Sequence, residues 1–175
     1  NGNNYSPGTI TGKPIPVGGS LARNVATGLG NAYCIREAAK ILNIELKGAK
    51  VVLQGFGNAS TFSGEYLEKM GARCIAASDS KGSILVADGF KVQDLIDWKQ
   101  KEGSVVGYPG SKEISTEELL TTDCDVLVPG ALENQITAAI AEKLQCKIIG
   151  EAANGPTLPE ADPILHKKGI FVIPD

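Results

Sequence analysis

The sequence has a single histidine, His166, and four cysteines, Cys34, Cys74, Cys124 and Cys146. No cysteine pair has Cys-x2-Cys spacing, so a zinc-type or histidine-based metal cluster is excluded. No apolar run approaches the roughly 18 residues that would read as a membrane span. Charge of one sign is also scarce: 17 Lys and Arg against 20 Asp and Glu leave −3, with a pI near 5.3, which excludes the basic footprint of a nucleic-acid binder. With 21 Gly and 9 Pro in 175 residues, the chain is not a low-complexity polymer. It is also too short for an eight-stranded βα barrel, which takes about 250 residues. There is no signal-peptide pattern, and the scattered cysteines suit reduced thiols, so a cytoplasmic protein is expected. The chain opens Asn-Gly-Asn-Asn without Met and stops at Ile173-Pro174-Asp175, directly after a strand-like run, as expected of a piece of a longer protein.

What is present is an alternation of apolar strands and amphipathic helices. Residues 1–20, rich in Gly, Pro, Ser and Asn, read as an irregular arm, and residues 21–175 as one domain. Ala32, Ile35, Ala39 and Leu42 lie on one helical face, and Ala59, Phe62, Tyr66, Leu67 and Met70 on another. Val92, Leu95 and Ile96 mark a helix near 91–101, and residues 136–145 a further one. Capping boxes are predicted at Ser115/Glu118 and at Thr157/Glu160. Strands are predicted at 50–54, 74–77, 125–129, 147–150 and 170–173. Their runs are continuously apolar, as in parallel strands covered on both faces, and the fold class is α/β with an open, doubly wound parallel sheet.

Such sheets bind ligands beyond the carboxyl ends of their strands. Gly55-Phe56-Gly57-Asn58-Ala59-Ser60 approximates the G-x-G-x-x-G turn, with Ser60 at the third position. It follows a strand and opens a helix, where backbone N–H groups can approach a diphosphate. Asp79 follows Gly55 by 24 residues, at the end of the next strand, where a carboxylate can accept ribose hydroxyls. A carboxylate there favours NAD over NADP, whose 2′-phosphate it repels, while Lys81 two residues on could offset the repulsion and permit both. Gly28 and Gly30 within a helical pattern point to close approach of a ligand or to packing against another element. Arg23 and Thr27 stand one helical turn apart. Asn134 and Asn154 carry carboxamides just past strand ends, with donors and acceptors for a ligand amide, and Asn154-Gly155 also suits a turn.

In order along the chain, these segments resemble the cofactor domain of the glutamate dehydrogenases, within the amino-acid dehydrogenase superfamily. The resemblance is carried by Thr11-Gly12-Lys13-Pro14-Ile15, Gly18-Gly19-Ser20 with Arg23, Ala26-Thr27-Gly28, Gln54-Gly55-Phe56-Gly57-Asn58 and Ser78-Asp79-Ser80-Lys81-Gly82. It continues through Ala131-Leu132-Glu133-Asn134-Gln135-Ile136-Thr137, Ala153-Asn154-Gly155-Pro156-Thr157, Glu160-Ala161-Asp162 and Val172-Ile173-Pro174-Asp175. Ala22, Ser60 and Ala152 stand where the family often has a smaller residue. The resemblance implies a Rossmann-like NAD(P)-binding domain, with the arm leading to a substrate domain outside the sequence and the C-terminus truncated. It implies Arg23 and Thr27 near the nicotinamide, and Gly55, Phe56, Gly57, Asn58 and Ala59 at the diphosphate. It further implies Asp79 and Ser80 at the adenine ribose, Gly130 and Ala131 beside the cofactor, and Asn134 and Asn154 toward the nicotinamide and its ribose. The family's catalytic Lys and Asp belong to the other domain, so no catalytic residue and no metal ligand is expected here. The implied parent is a homohexamer that converts L-glutamate to 2-oxoglutarate and ammonia, with NAD, or alternatively NADP, as hydride carrier. Other readings of the same residues are a leucine, phenylalanine or valine dehydrogenase, an S-adenosylmethionine methyltransferase, and a non-catalytic nucleotide-binding domain.

Overall fold

A computed structural model describes residues 7–10 and 12–175. Most of the predicted arm falls within it as two short 3-10 turns, Pro7–Thr9 and Ile15–Val17, whereas residues 1–6 and Thr11 lie outside the described residues.

The helices are α1 (Arg23–Ile41), α2 (Asn58–Lys69), α3 (Val92–Glu102), α4 (Thr116–Leu120), α5 (Ala138–Lys143) and α6 (Asp162–Lys167). The strands are β1 (Lys50–Gln54), β2 (Arg73–Ser78), β3 (Ser83–Phe90), β4 (Lys112–Ile114), β5 (Val126–Pro129), β6 (Ile148–Gly150) and β7 (Phe171–Ile173). They form one open sheet in the order β4-β3-β2-β1-β5-β6-β7. The stretch β2-β1-β5-β6-β7 is parallel, as the continuously apolar runs predict. β3 and β4 are antiparallel additions that the apolar-run reading passes over. β3 needs no crossover helix, because it follows β2 through a tight turn in which Asp79 N–H donates to Gly82 O at 2.9 Å.

Strand alternation divides the core into two. Val51 and Leu53 of β1, Val126 and Val128 of β5 and Ile148 of β6 face α1, α2 and α3, together with Ile35, Leu67 and Leu95. Val52, Leu127 and Ile149 face the other side, where Leu119, Ala141 and Leu165 of α4, α5 and α6 cover them. Both faces of the central strands are thus dry. At about 25 cal/mol per Å² of apolar surface, this burial is the main stabilising contribution.

Local signals succeed or fail according to what the packed chain does with them. The Ser115/Glu118 box forms at the start of α4, with Glu118 N–H donating to Ser115 Oγ at 3.1 Å and Ser115 N–H to Glu118 Oε2 at 2.7 Å. The Thr157/Glu160 box does not form. Thr157 is drawn into a parallel bridge with Ile136, its Oγ1 is buried without a partner, and Leu158 stands at the start of a 3-10 turn over Pro159–Ala161 with no side-chain cap. Thr137 caps α5 instead, accepting Ile140 N–H at 3.3 Å. The two helical glycines also part ways. A Cβ on Gly28 would lie 2.5 Å from Phe62 Cβ and 2.6 Å from Ala59 O, so this glycine serves the α1–α2 crossing, while a Cβ on Gly30 would meet nothing within 4 Å.

Candidate functional site

The chain runs outward from β1 to β2, β3 and β4 on one side and returns to β5, β6 and β7 on the other, so the sheet reverses between β1 and β5. A crevice at the strand carboxyl ends is expected at that point. There a cleft of about 430 Å³ is lined by Gly55, Phe56, Gly57, Asp79, Ser80, Gly130 and Ala131, together with Gln54, Ser78, Lys99, Thr116, Leu132 and Gln135. Gly55 has φ +79°, and a Cβ on it would lie 2.7 Å from Ala131 Cα, so the two loops meet backbone to backbone. Ser60 tolerates the third glycine position because it is fully buried and its hydroxyl donates to Gln54 O at 3.2 Å.

The turn uses some of its own N–H groups. Gly55 N–H donates to Ser78 Oγ at 2.9 Å, Phe56 N–H to Ser78 O at 2.5 Å, and Gly57 N–H to Gly55 O at 2.7 Å. The donors left for a ligand are the first N–H groups of α2, from Asn58, Ala59 and Ser60, which a helix leaves without intrahelical acceptors.

Asp79 lines the cleft, but its carboxylate is turned into the protein, with the side chain 5% exposed. Oδ1 accepts Lys81 N–H at 2.9 Å and the Ser104 hydroxyl at 3.1 Å, and Oδ2 accepts Val105 N–H at 2.8 Å. Burial pushes this carboxyl up, but the Lys81 and Val105 N–H groups, the Ser104 hydroxyl and the Lys99 charge outweigh it and hold it below the usual carboxylate range. Lys99 Nζ stands 3.7 Å from Oδ2 and donates to Phe56 O at 2.7 Å, so one cation touches both the turn and the acid.

On the far side of the β5 and β6 ends, a second cavity of about 230 Å³ is lined by Thr27, Asn31, Cys34, Glu151, Ala153 and Asn154, among others. The segments 131–136 and 153–158 are zipped together. Asn134 N–H donates to Gly155 O at 2.9 Å, Gln135 and Ile136 N–H to Pro156 O at 2.8 Å each, and Leu158 N–H to Ile136 O at 3.0 Å. Arg23 is exposed on α1, its Nη1 3.5 Å from Thr27 Oγ1. Asn134, with φ +59°, is exposed at the turn that leads into this zipper. Asn58 opens a groove between α2 and α3 on the outer side of the turn. Among the described residues, no group of three His, Cys, Asp or Glu is placed to hold a metal ion.

The sequence model for glutamate/leucine/phenylalanine/valine dehydrogenases matches residues 18–175. The chain belongs to this family. It is 47% identical over 169 residues to a glutamate dehydrogenase of Thermotoga maritima, covering 96% of this chain and 41% of the relative. It is 46% identical to an NADP-specific glutamate dehydrogenase of Saccharolobus shibatae (95% of this chain, 39% of the relative) and 43% identical to an NAD-specific one of Clostridioides difficile (97% and 42%). Among solved structures, it is similar to the hetero-hexameric glutamate dehydrogenase of Thermus thermophilus in its Leu-bound form, with a TM-score of 0.86 and 32% identity over 97% of this chain and 40% of that one. The chain therefore spans about two fifths of the length of these relatives.

Within this family domain, the structure divides the sequence-derived residues between places. Seven of them, Gly55, Phe56, Gly57, Asp79, Ser80, Gly130 and Ala131, gather at the first cleft, and Thr27 and Asn154 at the second. Ala59 lies in the first turn of α2, and Arg23 and Asn134 line neither cleft. Sequence reasoning missed Lys99 and Asn31. Asn31, 8% exposed, donates to Glu151 O at 3.0 Å and accepts the Ser63 hydroxyl at 3.2 Å, so it ties α1 to α2 and to the end of β6. Its position four residues after Thr27, on the same helical face, was the available signal.

Proposed function

We propose that the chain is the NAD(P)-binding part of a glutamate dehydrogenase that interconverts L-glutamate, NAD(P)⁺ and water with 2-oxoglutarate, ammonium, NAD(P)H and a proton. The observation that carries this reading is the start of α2. Its first N–H groups, which the helix leaves without intrahelical acceptors, follow directly on Gly57, a residue that lines the switch-point cleft, behind a turn that Gly55 brings into backbone contact with Ala131. A dinucleotide fits these features. The helix terminus suits a diphosphate, Gly57 offers a wall on which an added Cβ would meet nothing, and Gln54 Oε1 is a buried acceptor without a protein donor. When bound, the nicotinamide supplies the hydride acceptor or donor. This chain's residues bind and orient: the Asn58 and Ala59 N–H groups hold the diphosphate against the bare Cα of Gly57, the end of β2 at Asp79 and Ser80 borders the adenine ribose with the Asp79 carboxylate itself turned inward, and Gly130 and Ala131 flank the cofactor. Thr27 and Asn154, with Arg23 and Asn134 at the rim, hold the nicotinamide half.

Lys99 tempers the charge of Asp79, and the carboxylate is already satisfied by N–H and O–H donors, so a 2′-phosphate meets less repulsion than a free acid would impose. The reading is therefore NAD as the main cofactor, with NADP accepted. Residues 1–20 form the arm toward a substrate domain that brings the catalytic Lys and Asp, 21–175 form the cofactor domain, and the assembled parent is a cytoplasmic homohexamer. On this reading the 175-residue chain binds NADH and has no dehydrogenase activity of its own. Calorimetric titration with NADH, NADPH and S-adenosylmethionine tests it: saturable binding of the first two and none of the third is expected. Turnover of glutamate by the purified chain would refute the assignment of catalysis to the other domain. Assaying the full-length parent on glutamate against leucine, phenylalanine and valine separates the substrate classes within the family.

A further inference from the structure

Gln54 ends β1 inside the cleft, 1% exposed. Its Nε2 donates to Gln135 Oε1 at 3.0 Å, and Gln135 Nε2 donates to Glu133 O at 3.1 Å. The backbone O of Gln54 accepts Gly130 N–H at 2.9 Å and the Ser60 hydroxyl. The glycine turn and the 130–135 loop, the two walls of the cleft, are therefore joined by hydrogen bonds at Gln54, beside the backbone contact of Gly55 with Ala131. Its own Oε1 is buried without a hydrogen-bond partner. An apolar side chain of the same length would carry no such unmet acceptor, which sets the cost of Oε1 against the bond that Nε2 makes to Gln135.

The loop is limited in one direction only by contact. Gly55 against Ala131 leaves no room for the loop to move closer to the turn. Its tip has little apolar anchorage, with Leu132 65% exposed, and its far end is held through the zipper to residues 155–158. Beyond the backbone bond of Gly130 N–H to Gln54 O at its near end, the side-chain link from Gln54 to Gln135 restrains the loop from moving away.

We propose that Gln54 and Gln135 are a positioning pair that holds the 130–135 loop at the spacing from the glycine turn that a diphosphate between them requires. This rests on the dinucleotide reading above. The pair acts through Gly130 and Ala131 rather than by touching reacting atoms, and it lowers the cost of ordering that wall on binding.

The test uses the 175-residue chain and its Gln54→Met, Gln135→Met and doubly substituted forms. It measures Tm, NADH affinity by fluorescence titration, and ligand-free hydrogen exchange at the Gly130 and Gln135 amides. Because the double variant removes both polar partners together, its Tm is expected within about 2 °C of the parent or above it. Its NADH Kd is expected to weaken by about fivefold or more, with both amides exchanging faster by a similar factor. A lowered Tm with unchanged Kd and exchange would make the pair a plain core contact and overturn the proposal, as would no change in any readout. If the parent chain does not bind NADH, the dinucleotide reading fails by itself. Exchange then decides the tether: faster exchange in the double variant upholds it, and unchanged exchange overturns it.

Discussion

Oδ2 of Asp79 accepts the backbone N–H of Val105 at 2.8 Å, which joins the end of β2 to the turn that follows α3. The acid expected to face a ligand is thus also a structural clasp, with Ser104, Lys81 and Lys99 as its other partners. Asp79→Ala leaves two backbone N–H groups and a buried hydroxyl without their acceptor. It is expected to lower stability by about 2–3 kcal/mol in urea unfolding, since hydrogen bonds to a charged group each contribute on this scale. A loss below a few tenths of a kcal/mol would mean that the clasp is not formed in solution.

The same clasp sets an acid limb. The Asp79 carboxyl is held below its ordinary value in the folded chain, so its stabilisation is fully present above the usual carboxyl range, near pH 3.9, and is lost as pH falls through the lower folded value. Asp79→Asn cannot titrate. Between about pH 5 and pH 2, its urea midpoint is expected to fall less steeply than that of the unsubstituted chain. Parallel pH profiles would contradict the inward placement of this carboxylate.

Gly55 and Gly57 separate folding from binding. Gly55→Ala places a Cβ 2.7 Å from Ala131 Cα at φ +79°, and about 1–3 kcal/mol of stability is expected to be lost. Gly57→Ala meets no neighbour, so its stability should stay within about 1 kcal/mol of the parent. Because its Cβ would stand where the diphosphate approaches, NADH affinity should fall by about tenfold or more. Equal affinities for Gly57→Ala and the parent would place the ligand elsewhere.

Gly28 and Gly30 make the matching pair on α1. Gly28→Ala drives a methyl into Phe62 and the Ala59 carbonyl and should cost about 1–3 kcal/mol. Gly30→Ala sits in an open helical position and should stabilise by about 0.5–1 kcal/mol, because alanine is the better helix former. Thermal unfolding of the two variants, moving Tm in opposite directions, is the check.

Contiguous chemistry was legible in the sequence. The apolar runs at β1, β2, β5, β6 and β7 marked a parallel sheet, because strands buried on both faces leave no alternation. The glycine turn and Asp79 followed from their strand-end positions. What could not be read was set by pairing at a distance. β3 carries the polar Asp88-Gly89 near its end and exists as a strand because β2 is beside it. Thr157 and Glu160 had the local pattern of a cap, but pairing with Ile136 took Thr157 away. Lys99 belongs to a helix whose charged face looks solvated in the sequence, and only packing brings its amine to Phe56 O. Gln54 and Gln135 are 81 residues apart, and no local spacing joins them.

The proposed function requires a dinucleotide's diphosphate to bind at the start of α2. Amide-resolved NMR titration of the 175-residue chain with NADH tests it most directly. Saturable shifts at the Asn58, Ala59 and Ser60 amides, absent with S-adenosylmethionine, are expected. Saturable binding that leaves these three amides unmoved, or no binding at millimolar NADH, would contradict it.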